Sequence, residues 1–280
     1  MRKSTIASGL LIATSALLLH CGGDEDDAAQ GEAPDKGLPT RSSGCGVAAA
    51  VSPAEGTTAQ VGGRSYRYFV PKGYDANKAY PVVYVLHGTG ATGQQMSQYI
   101  KMQDYTKGEA IAVFPDGAGG KWDTQGDTDL EFFDAMNDDL AAKTCTDPSR
   151  VFVMGFSLGG YMTNHLGCKR GTKIRAIAPA AGGFPDKSET CTPIPALVYH
   201  KTQDSTVRIA EGEKARDAWK GIDGCSDDTE AYGSLGCVSY KGCEGGTALV
   251  WCEDKKVTDY AHDLDADYRT PIWEWFASLP

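Results

Sequence analysis

A chain of 280 residues with 41% hydrophobic and 23% charged residues can bury a large core, which excludes collagen, coiled-coil and wholly disordered classes. Lysine and arginine number 27 against 37 aspartate and glutamate residues, so the formal charge is −10. An acidic surface repels phosphate backbones, and we therefore expect no nucleic acid partner.

The N-terminus has the order of an export signal. Two basic residues precede an apolar run over 9–19 that is too short to span a bilayer, so residues 1–20 are predicted to be a signal peptide. Cys21 ends a Leu-Leu-His-Cys sequence resembling a bacterial lipid-attachment site, although His20 stands where a small residue is usual. We expect an exported protein whose only membrane contact is a lipid on Cys21, with cleavage and secretion as the alternative.

The next segment has the composition of a linker. Residues 21–44 are rich in glycine, aspartate, glutamate, proline and serine, and they cannot bury enough apolar surface to offset the entropy of ordering. We predict a flexible tether over 21–44, followed by one catalytic domain over 45–280.

Eight cysteines remain after Cys21, and an even count in an exported chain predicts disulfides. Short spacing favours a Cys237–Cys243 pair, and a Cys168–Cys191 pair would tie a helix to a later strand. A zinc cluster is the alternative, but the chain lacks a close Cys-x-x-Cys pair and a nearby His-x-x-x-His.

From residue 64 onward, strand-like and helix-like patterns alternate, which predicts an α/β fold with a mostly parallel central sheet and helices on both faces. Ligands of such folds bind at the carboxyl ends of the strands. Strands are predicted at Arg64–Val70, Pro81–Leu86, Ala110–Phe114, Arg150–Gly155, Ile174–Ala180, Ala196–His200 and Thr247–Cys252, and helices at Gln94–Thr106, Asp129–Lys143, Leu158–Leu166, Ile209–Lys220 and Pro271–Ser278.

A Gly-x-Ser-x-Gly motif at residues 155–159 lies between a predicted strand and a predicted helix. That context is typical of the nucleophile turn of the α/β-hydrolase fold, in which the serine hydroxyl stands clear of the sheet. We predict Ser157 as the nucleophile. The alternative is a serine that only caps a helix in a glycine-rich turn.

A serine nucleophile needs a base and an acid, which follow it in this fold in the order serine, acid, histidine. That order leaves His200 and His262, and His262 is preferred because an acid can lie between it and the serine. Asp204, just after a predicted strand, is the preferred acid. A surface-loop histidine and a turn-forming aspartate are the non-catalytic alternatives.

Two further pairs of residues are predicted around the nucleophile. The amides of Leu158 and Thr89, the latter in the His-Gly-Thr-Gly turn at 87–90, are candidates for an oxyanion hole, although that turn could be a simple glycine-rich loop. Trp122 and Tyr161 are candidates for stacking on an aromatic acid or a sugar, although such residues are more often packed in the core.

The order of these motifs resembles the polyhydroxybutyrate depolymerase and feruloyl esterase group of carbohydrate esterases. The resemblance implies an acid at Asp204 and a base at His262. Two sequences depart from the pattern: His200-Lys201-Thr202 replaces His-Gly-Thr, and His262 lacks the usual preceding glycines and following Trp-Pro. The resemblance is carried by LHGTG (86–90), FPDG (114–117), DPSRVFVMGFSLGGYMTNHLGC (147–168), AIAPAAG (176–182), PALVYHKTQDSTV (195–207), VWC (250–252) and IWEWFA (272–277).

The resemblance implies a serine esterase that hydrolyses carboxylic esters through an acyl-enzyme, with no metal or organic cofactor. Separately, we expect the protein to be a monomer. Feruloyl or acetyl esters of plant cell-wall polysaccharide are the expected substrates. A polyhydroxyalkanoate depolymerase, a non-catalytic surface lipoprotein that kept the fold as a binding module, and a peptidase are the alternatives.

Overall fold

The computed structural model describes residues 40–47, 55–187 and 190–280, and within these ranges ten strands form one sheet. The strand order is β1-β2-β4-β3-β5-β6-β7-β10-β9-β8. The strands are β1 Thr57–Val61, β2 Arg64–Phe69, β3 Tyr80–Leu86, β4 Ile111–Pro115, β5 Thr146–Phe156, β6 Ala176–Ala180, β7 Ala196–Lys201, β8 Thr229–Tyr232, β9 Cys237–Tyr240 and β10 Leu249–Asp254.

The six strands at the centre of the sheet are parallel, and the strand pairs at both edges are antiparallel. In spatial order, the six parallel strands are β4, β3, β5, β6, β7 and β10. Strands β3, β4, β6 and β7 are buried along their whole length, as apolar runs covered on both faces should be. This arrangement brings the carboxyl ends of β3, β5, β6 and β7 together at one edge of the sheet.

Helices cover both faces of the sheet. Apolar side chains of α3, α4 and α5 join one core cluster, and those of α1, α2 and α6 join the other. The predicted α/β fold with a mostly parallel sheet between two helical layers is therefore confirmed. No helix in the described ranges is both long and apolar enough to cross a membrane. The helices are α1 Gly93–Tyr99, α2 Met102–Tyr105, α3 Thr128–Lys143, α4 Leu158–Arg170, α5 Ile209–Ile222 and α6 Arg269–Ser278.

The single helix predicted over Gln94–Thr106 is wrong, because the chain breaks it at Lys101. Lys101 adopts a left-handed conformation with φ 55°, and α2 begins at the next residue. Ile100 and Met102 are both fully buried, whereas positions two apart point to different sides of a continuous helix. The turn at Lys101 directs both side chains into the same core.

Four disulfides join the eight cysteines of the described ranges, which indicates folding in an oxidising compartment and hence export. The Cys168–Cys191 prediction is confirmed. The Cys237–Cys243 prediction is wrong, because antiparallel pairing sets Cys237 directly opposite Cys252. Cys243 bonds to Cys225 instead, and none of the cysteines in the described ranges is left as a thiolate for the zinc alternative. The remaining pair is Cys45–Cys145.

The catalytic domain begins earlier than predicted. Ser42 exchanges hydrogen bonds with the backbone of Thr144 and Thr146, and the Gly44 amide donates to the Ala141 carbonyl. The last residues of the predicted tether over 21–44 are therefore part of the folded domain. The predicted signal peptide over 1–20 and Cys21 lie outside the described residues.

Candidate active site

The turn after β5 holds Ser157 in a strained backbone conformation. Its φ of 57° and ψ of −122° suit glycine and are costly for a residue that carries a side chain. The Ser157 amide donates to the Ala180 carbonyl at 3.0 Å, which anchors the turn to β6, and α4 begins at the next residue. Such a strand-turn-helix connection presents the serine hydroxyl at the carboxyl end of the sheet.

Glycines around Ser157 are required by close packing. A Cβ atom on Gly155 would lie 2.3 Å from the Gly159 carbonyl oxygen, and a Cβ atom on Gly159 would lie 2.3 Å from the Leu86 carbonyl oxygen. A Cβ atom on Gly160 would lie 2.6 Å from the Ala180 carbonyl oxygen. All three distances are shorter than van der Waals contact, so the turn can form only without side chains at these positions.

The fold brings Ser157, His262 and Asp204 into one hydrogen-bonded chain. His262 Nε2 lies 3.0 Å from Ser157 Oγ, and His262 Nδ1 lies 2.7 Å from Asp204 Oδ2. The carboxylate accepts the Nδ1 proton, which leaves Nε2 free to accept the serine proton. The arrangement can deprotonate a hydroxyl and stabilise the imidazolium that forms.

Asp204 is oriented by the backbone that follows it. Its Oδ1 accepts hydrogen bonds from the amides of Thr206 and Val207, both at 2.9 Å. The side chain is completely buried. Because Oδ1 is occupied by two amides, Oδ2 points to His262, and the carboxylate of the β7–α5 loop cannot rotate away.

His200, the other histidine compatible with the chain order, does not contact the serine. Its Nε2 donates to the Val207 carbonyl at 2.8 Å and lies 3.7 Å from Asp204 Oδ2. Burial lowers the pKa of His200, so the ring is neutral. The imidazole therefore supports the loop that carries Asp204, a role that the sequence pattern did not reveal.

The His-Gly-Thr-Gly turn lies against the nucleophile. A Cβ atom on Gly88 would lie 3.2 Å from Ser157 Cβ. Among the hydrogen bonds between described residues, none uses the amide of Thr89 or of Leu158. Leu158 is the first residue of α4, where an amide has no partner within the helix. Two unpaired amides next to Ser157 provide donors of the kind an oxyanion hole needs.

His87 fixes the shape of this turn. Its Nε2 accepts the Gly117 amide proton at 2.9 Å, so the proton of the neutral ring is on Nδ1, which lies 2.8 Å from the Gly88 carbonyl. Burial lowers the pKa of His87 and keeps the ring neutral. The imidazole connects the 87–90 turn to the loop after β4, a function that sequence reasoning missed.

The two residues predicted to bind substrate have different environments. Trp122 is 7% exposed, and its indole donates to the His87 carbonyl at 2.7 Å. A buried ring of this kind braces the 87–90 turn and cannot stack on a substrate, so that prediction is not supported. Tyr161 is half-buried in the first turn of α4, with its hydroxyl 3.5 Å from Glu211 Oε2, and stays a candidate.

His165 joins two loops to α4. Its Nδ1 lies 2.9 Å from Asp186 Oδ2, and its Nε2 lies 3.0 Å from the Gly126 carbonyl. Both partners are acceptors, so both nitrogens carry protons only in the imidazolium. Burial by itself would lower the pKa of His165, but these two hydrogen bonds outweigh it and raise the pKa.

We expect His165→Gln to remove a pH-dependent part of the stability. A raised pKa in the folded state gives stabilisation that is complete below the unfolded value of about 6.5 and lost as the pH rises through the folded value. Urea unfolding between about pH 5 and 9 should therefore show a decline in the wild-type free energy of unfolding that the variant lacks. Parallel curves for the two proteins would contradict this assignment.

Lys201 connects β7 to the segment that carries His262. Its Nζ lies 2.6 Å from Asp263 Oδ1 and 2.9 Å from Thr258 Oγ1. Residues 255–265 contain no helix or strand, so they depend on side chains for their position. The two departures from the family pattern, Lys201 and the sequence around His262, are therefore in direct contact.

The described ranges contain no group of three histidine, cysteine, aspartate or glutamate side chains placed to hold a metal ion.

Comparison with known proteins gives the same fold and a family. No protein-family model matches the chain. An acetyl xylan esterase from Aspergillus awamori superposes with a TM-score of 0.61 at 17% identity, covering 79% of this chain and 99% of that one. A feruloyl esterase module from Clostridium thermocellum, complexed with sinapinate, superposes with a TM-score of 0.58 at 16% identity, covering 79% of this chain and 85% of that one. These likenesses show the fold.

Curated relatives are closer in sequence. Feruloyl esterase C from Emericella nidulans is 28% identical over 203 residues, which cover 68% of this chain and 75% of that protein. Feruloyl esterase D from Neurospora crassa is 30% identical over 236 residues, which cover 75% of this chain and 79% of that protein. The predicted α/β-hydrolase fold is thus confirmed, and the chain belongs to the feruloyl esterase family of carboxylic ester hydrolases.

Proposed function

We propose that this chain hydrolyses feruloyl-type esters of plant cell-wall polysaccharide through an acyl-enzyme formed on Ser157. The observation that carries the proposal is the hydrogen-bonded chain from Ser157 Oγ through His262 to Asp204, with distances of 3.0 and 2.7 Å. The named feruloyl esterases among its relatives support the choice of acyl group. The buried position of Asp204 and the strained turn at Ser157 support the catalytic roles.

The first half of the reaction forms the acyl-enzyme. His262 Nε2 takes the proton of Ser157 Oγ as that oxygen attacks the ester carbonyl carbon. The carbonyl oxygen becomes an oxyanion, which the amides of Thr89 and Leu158 stabilise. The tetrahedral intermediate then breaks its bond to the alcohol, and His262 returns the proton to the leaving oxygen.

The second half repeats these steps with water as the nucleophile. His262 takes a proton from water, the hydroxyl attacks the acyl carbon, and the bond to Ser157 Oγ breaks as His262 returns the proton to the serine. Asp204 stabilises the imidazolium in both halves. The products are one carboxylic acid and one alcohol, and the serine is restored.

The proposal is tested by substrate profile and by covalent labelling. We expect turnover of methyl ferulate and p-nitrophenyl acetate, and a fluorophosphonate probe should modify Ser157, as located by peptide mass spectrometry. Absence of both labelling and turnover would favour a binding module on the same fold. Faster cleavage of amides than of esters would indicate a peptidase.

A panel of polymeric substrates tests the acyl group. Feruloylated arabinoxylan, acetylated xylan and hydroxybutyrate oligomers differ in the acid that the site must accept. We expect the highest kcat/KM on the feruloyl ester. A preference for acetyl or hydroxybutyryl groups would leave the esterase assignment intact and overturn the choice of substrate.

We also propose that the protein acts as an exported monomer held to a membrane by a lipid on Cys21. The cysteine follows an apolar segment preceded by basic residues, and the disulfides fit an oxidising compartment. Expressed in a bacterial host, the wild type should enter the detergent phase on partition, and Cys21→Ala should stay in the aqueous phase. Aqueous partition of the wild type would indicate simple secretion.

A further inference from the structure

Exposed apolar side chains are concentrated beside the active site. Four large hydrophobic residues are exposed in the described ranges, and three of them are Tyr99 at 37%, Val257 at 72% and Tyr260 at 66%. Val257 and Tyr260 belong to the segment that carries His262. The fourth, Val47, donates its amide to the Gly44 carbonyl in the N-terminal segment. We call Tyr99 and Tyr260 the aromatic rim.

Tyr99 is connected to the catalytic imidazole through one other ring. The Tyr99 ring packs edge-to-face against Phe156 with centroids 5.8 Å apart, and Phe156 lies 4.8 Å from the ring of His262. Phe156 directly precedes Ser157 in the chain. The Tyr99 ring is therefore separated from the His262 imidazole by a single side chain, that of Phe156.

Tyr99 is held in a fixed orientation before any ligand arrives. Its hydroxyl accepts the Leu264 amide proton at 3.2 Å, and Arg269 Nη1 donates to the Tyr99 carbonyl at 2.8 Å. The Arg269 guanidinium also lies 5.2 Å from the Tyr99 ring centroid. A rigid, partly exposed aromatic ring binds a flat apolar surface at little entropic cost.

Tyr260 lies in the same neighbourhood. Its carbonyl accepts the hydroxyl proton of Thr258 at 2.8 Å, and that threonine is held in turn by Lys201. The Leu264 amide that donates to the Tyr99 hydroxyl lies four residues after Tyr260, so the segment that carries Tyr260 and His262 packs against Tyr99. The phenol of Tyr260 itself projects into solvent.

The chemistry of the histidine indicates which part of the substrate meets the rim. His262 returns its proton to the leaving alcohol, so that alcohol departs on the histidine side of the serine. In an ester of cell-wall polysaccharide, the alcohol is a sugar hydroxyl. Tyrosine combines an apolar ring with a hydroxyl that can hydrogen-bond, a combination suited to a sugar, which has apolar faces and polar edges.

We propose that Tyr99 and Tyr260 bind the sugar that carries the scissile ester, as a leaving-group subsite. The inference rests on the proposed function, since it assumes that Ser157 and His262 cleave an ester. The rim then gives the enzyme its preference for polysaccharide-linked esters over simple alkyl esters. Trp122, which is buried, cannot serve this purpose.

The test compares two esters that share an acid and differ in the alcohol: methyl ferulate and a feruloylated arabinoxylo-oligosaccharide. For Tyr260→Ala, we expect the ratio of the oligosaccharide KM to the methyl ferulate KM to rise about fivefold to tenfold. Tyr260→Phe retains the ring and should restore most of the wild-type ratio. Val47→Ala, the matched control at the exposed apolar residue outside this cluster, should leave the ratio unchanged.

Two results would overturn the inference while leaving the proposed function intact. One is a wild type with equal KM values for both esters, and the other is a Tyr260→Ala variant with an unchanged ratio. If the wild type turns over neither ester, the proposed function fails, and this inference fails with it.

Discussion

Ser157→Ala and Ser157→Gly should both lower kcat for ester hydrolysis by about five to six orders of magnitude. The two variants should differ in stability, and the glycine variant should be the more stable of the two. The loss of activity follows because neither variant has an oxygen to attack the carbonyl. The difference in stability follows from the backbone, since φ of 57° with ψ of −122° is unfavourable for any residue with a Cβ atom.

The size of the difference can be bounded. Strained backbone conformations of this kind cost about 1 to 3 kcal/mol, and glycine relieves that cost. Glycine also gains freedom in the unfolded chain, which offsets about 0.4 to 1 kcal/mol. We therefore expect Ser157→Gly to exceed Ser157→Ala by about 1 kcal/mol in the free energy of unfolding.

Urea unfolding of both variants, with kcat measured on the same preparations, separates the two effects. Substantial ester turnover by Ser157→Ala would remove the serine from the mechanism. Equal stability of the two variants would show that the turn is unstrained, while leaving the catalytic role of Ser157 untouched.

The sequence predicted the centre of the fold better than its edges. Strands such as Pro81–Leu86 and Ala110–Phe114 are continuous apolar runs because both faces are covered, and this property is visible locally. Strand β1 and the β8–β9 hairpin were missed. Their residues are partly exposed and their positions depend on pairing with distant strands, which the local pattern does not encode.

At the candidate site too, the sequence singled out some residues and did not reveal the roles of others. Ser157, Asp204 and His262 were selected because chain order in this fold restricts the choices, and the structure places them within hydrogen-bonding distance of one another. The supporting roles of three other residues were not predicted. His87, His200 and Trp122 act through contacts with backbone atoms that are distant in sequence, and nothing in their local sequence distinguishes a brace from a ligand or a base.

Lys201 is a further example, because its importance follows from burial rather than from sequence. Its side chain is 1% exposed, whereas its partner Asp263 is 24% exposed. A buried charge without a partner costs far more than one that water can reach. The loss of Asp263, which leaves the buried lysine without its counter-charge, should therefore lower the stability more than the loss of Lys201.

We expect Asp263→Asn to lower the free energy of unfolding by about 3 kcal/mol, and Lys201→Met to lower it by about 1 to 2 kcal/mol. In Asp263→Asn, the buried ammonium loses its only carboxylate contact among the described residues and keeps charge-free acceptors, Thr258 Oγ1 and the new amide oxygen. In Lys201→Met, the carboxylate can turn to water and the apolar stem is replaced by one of similar size. The double variant should lose less stability than the sum of the single variants.

The same variants report on catalysis, because Asp263 follows His262 in the chain. A displaced segment would misplace the imidazole against Ser157 Oγ, so we expect kcat to fall tenfold or more, to order of magnitude, while KM changes little. Lys201→Arg retains the charge and should recover part of the lost kcat. A matched pair of variants at Lys107 and Glu274, an exposed ion pair, should change stability by less than about 1 kcal/mol and leave kcat unchanged.

Thermal or urea unfolding of the wild type, the two single variants and the double variant of each ion pair gives the coupling energy between its two charges. Strictly additive losses for Lys201→Met and Asp263→Asn would show that the pair contributes no energy of its own. Coupled losses of stability with unchanged kcat would show that the ion pair holds the 255–265 segment without setting the position of His262. Coupled losses with a lower kcat would mean that the lysine at the family's usual glycine position compensates for the altered sequence around the catalytic histidine.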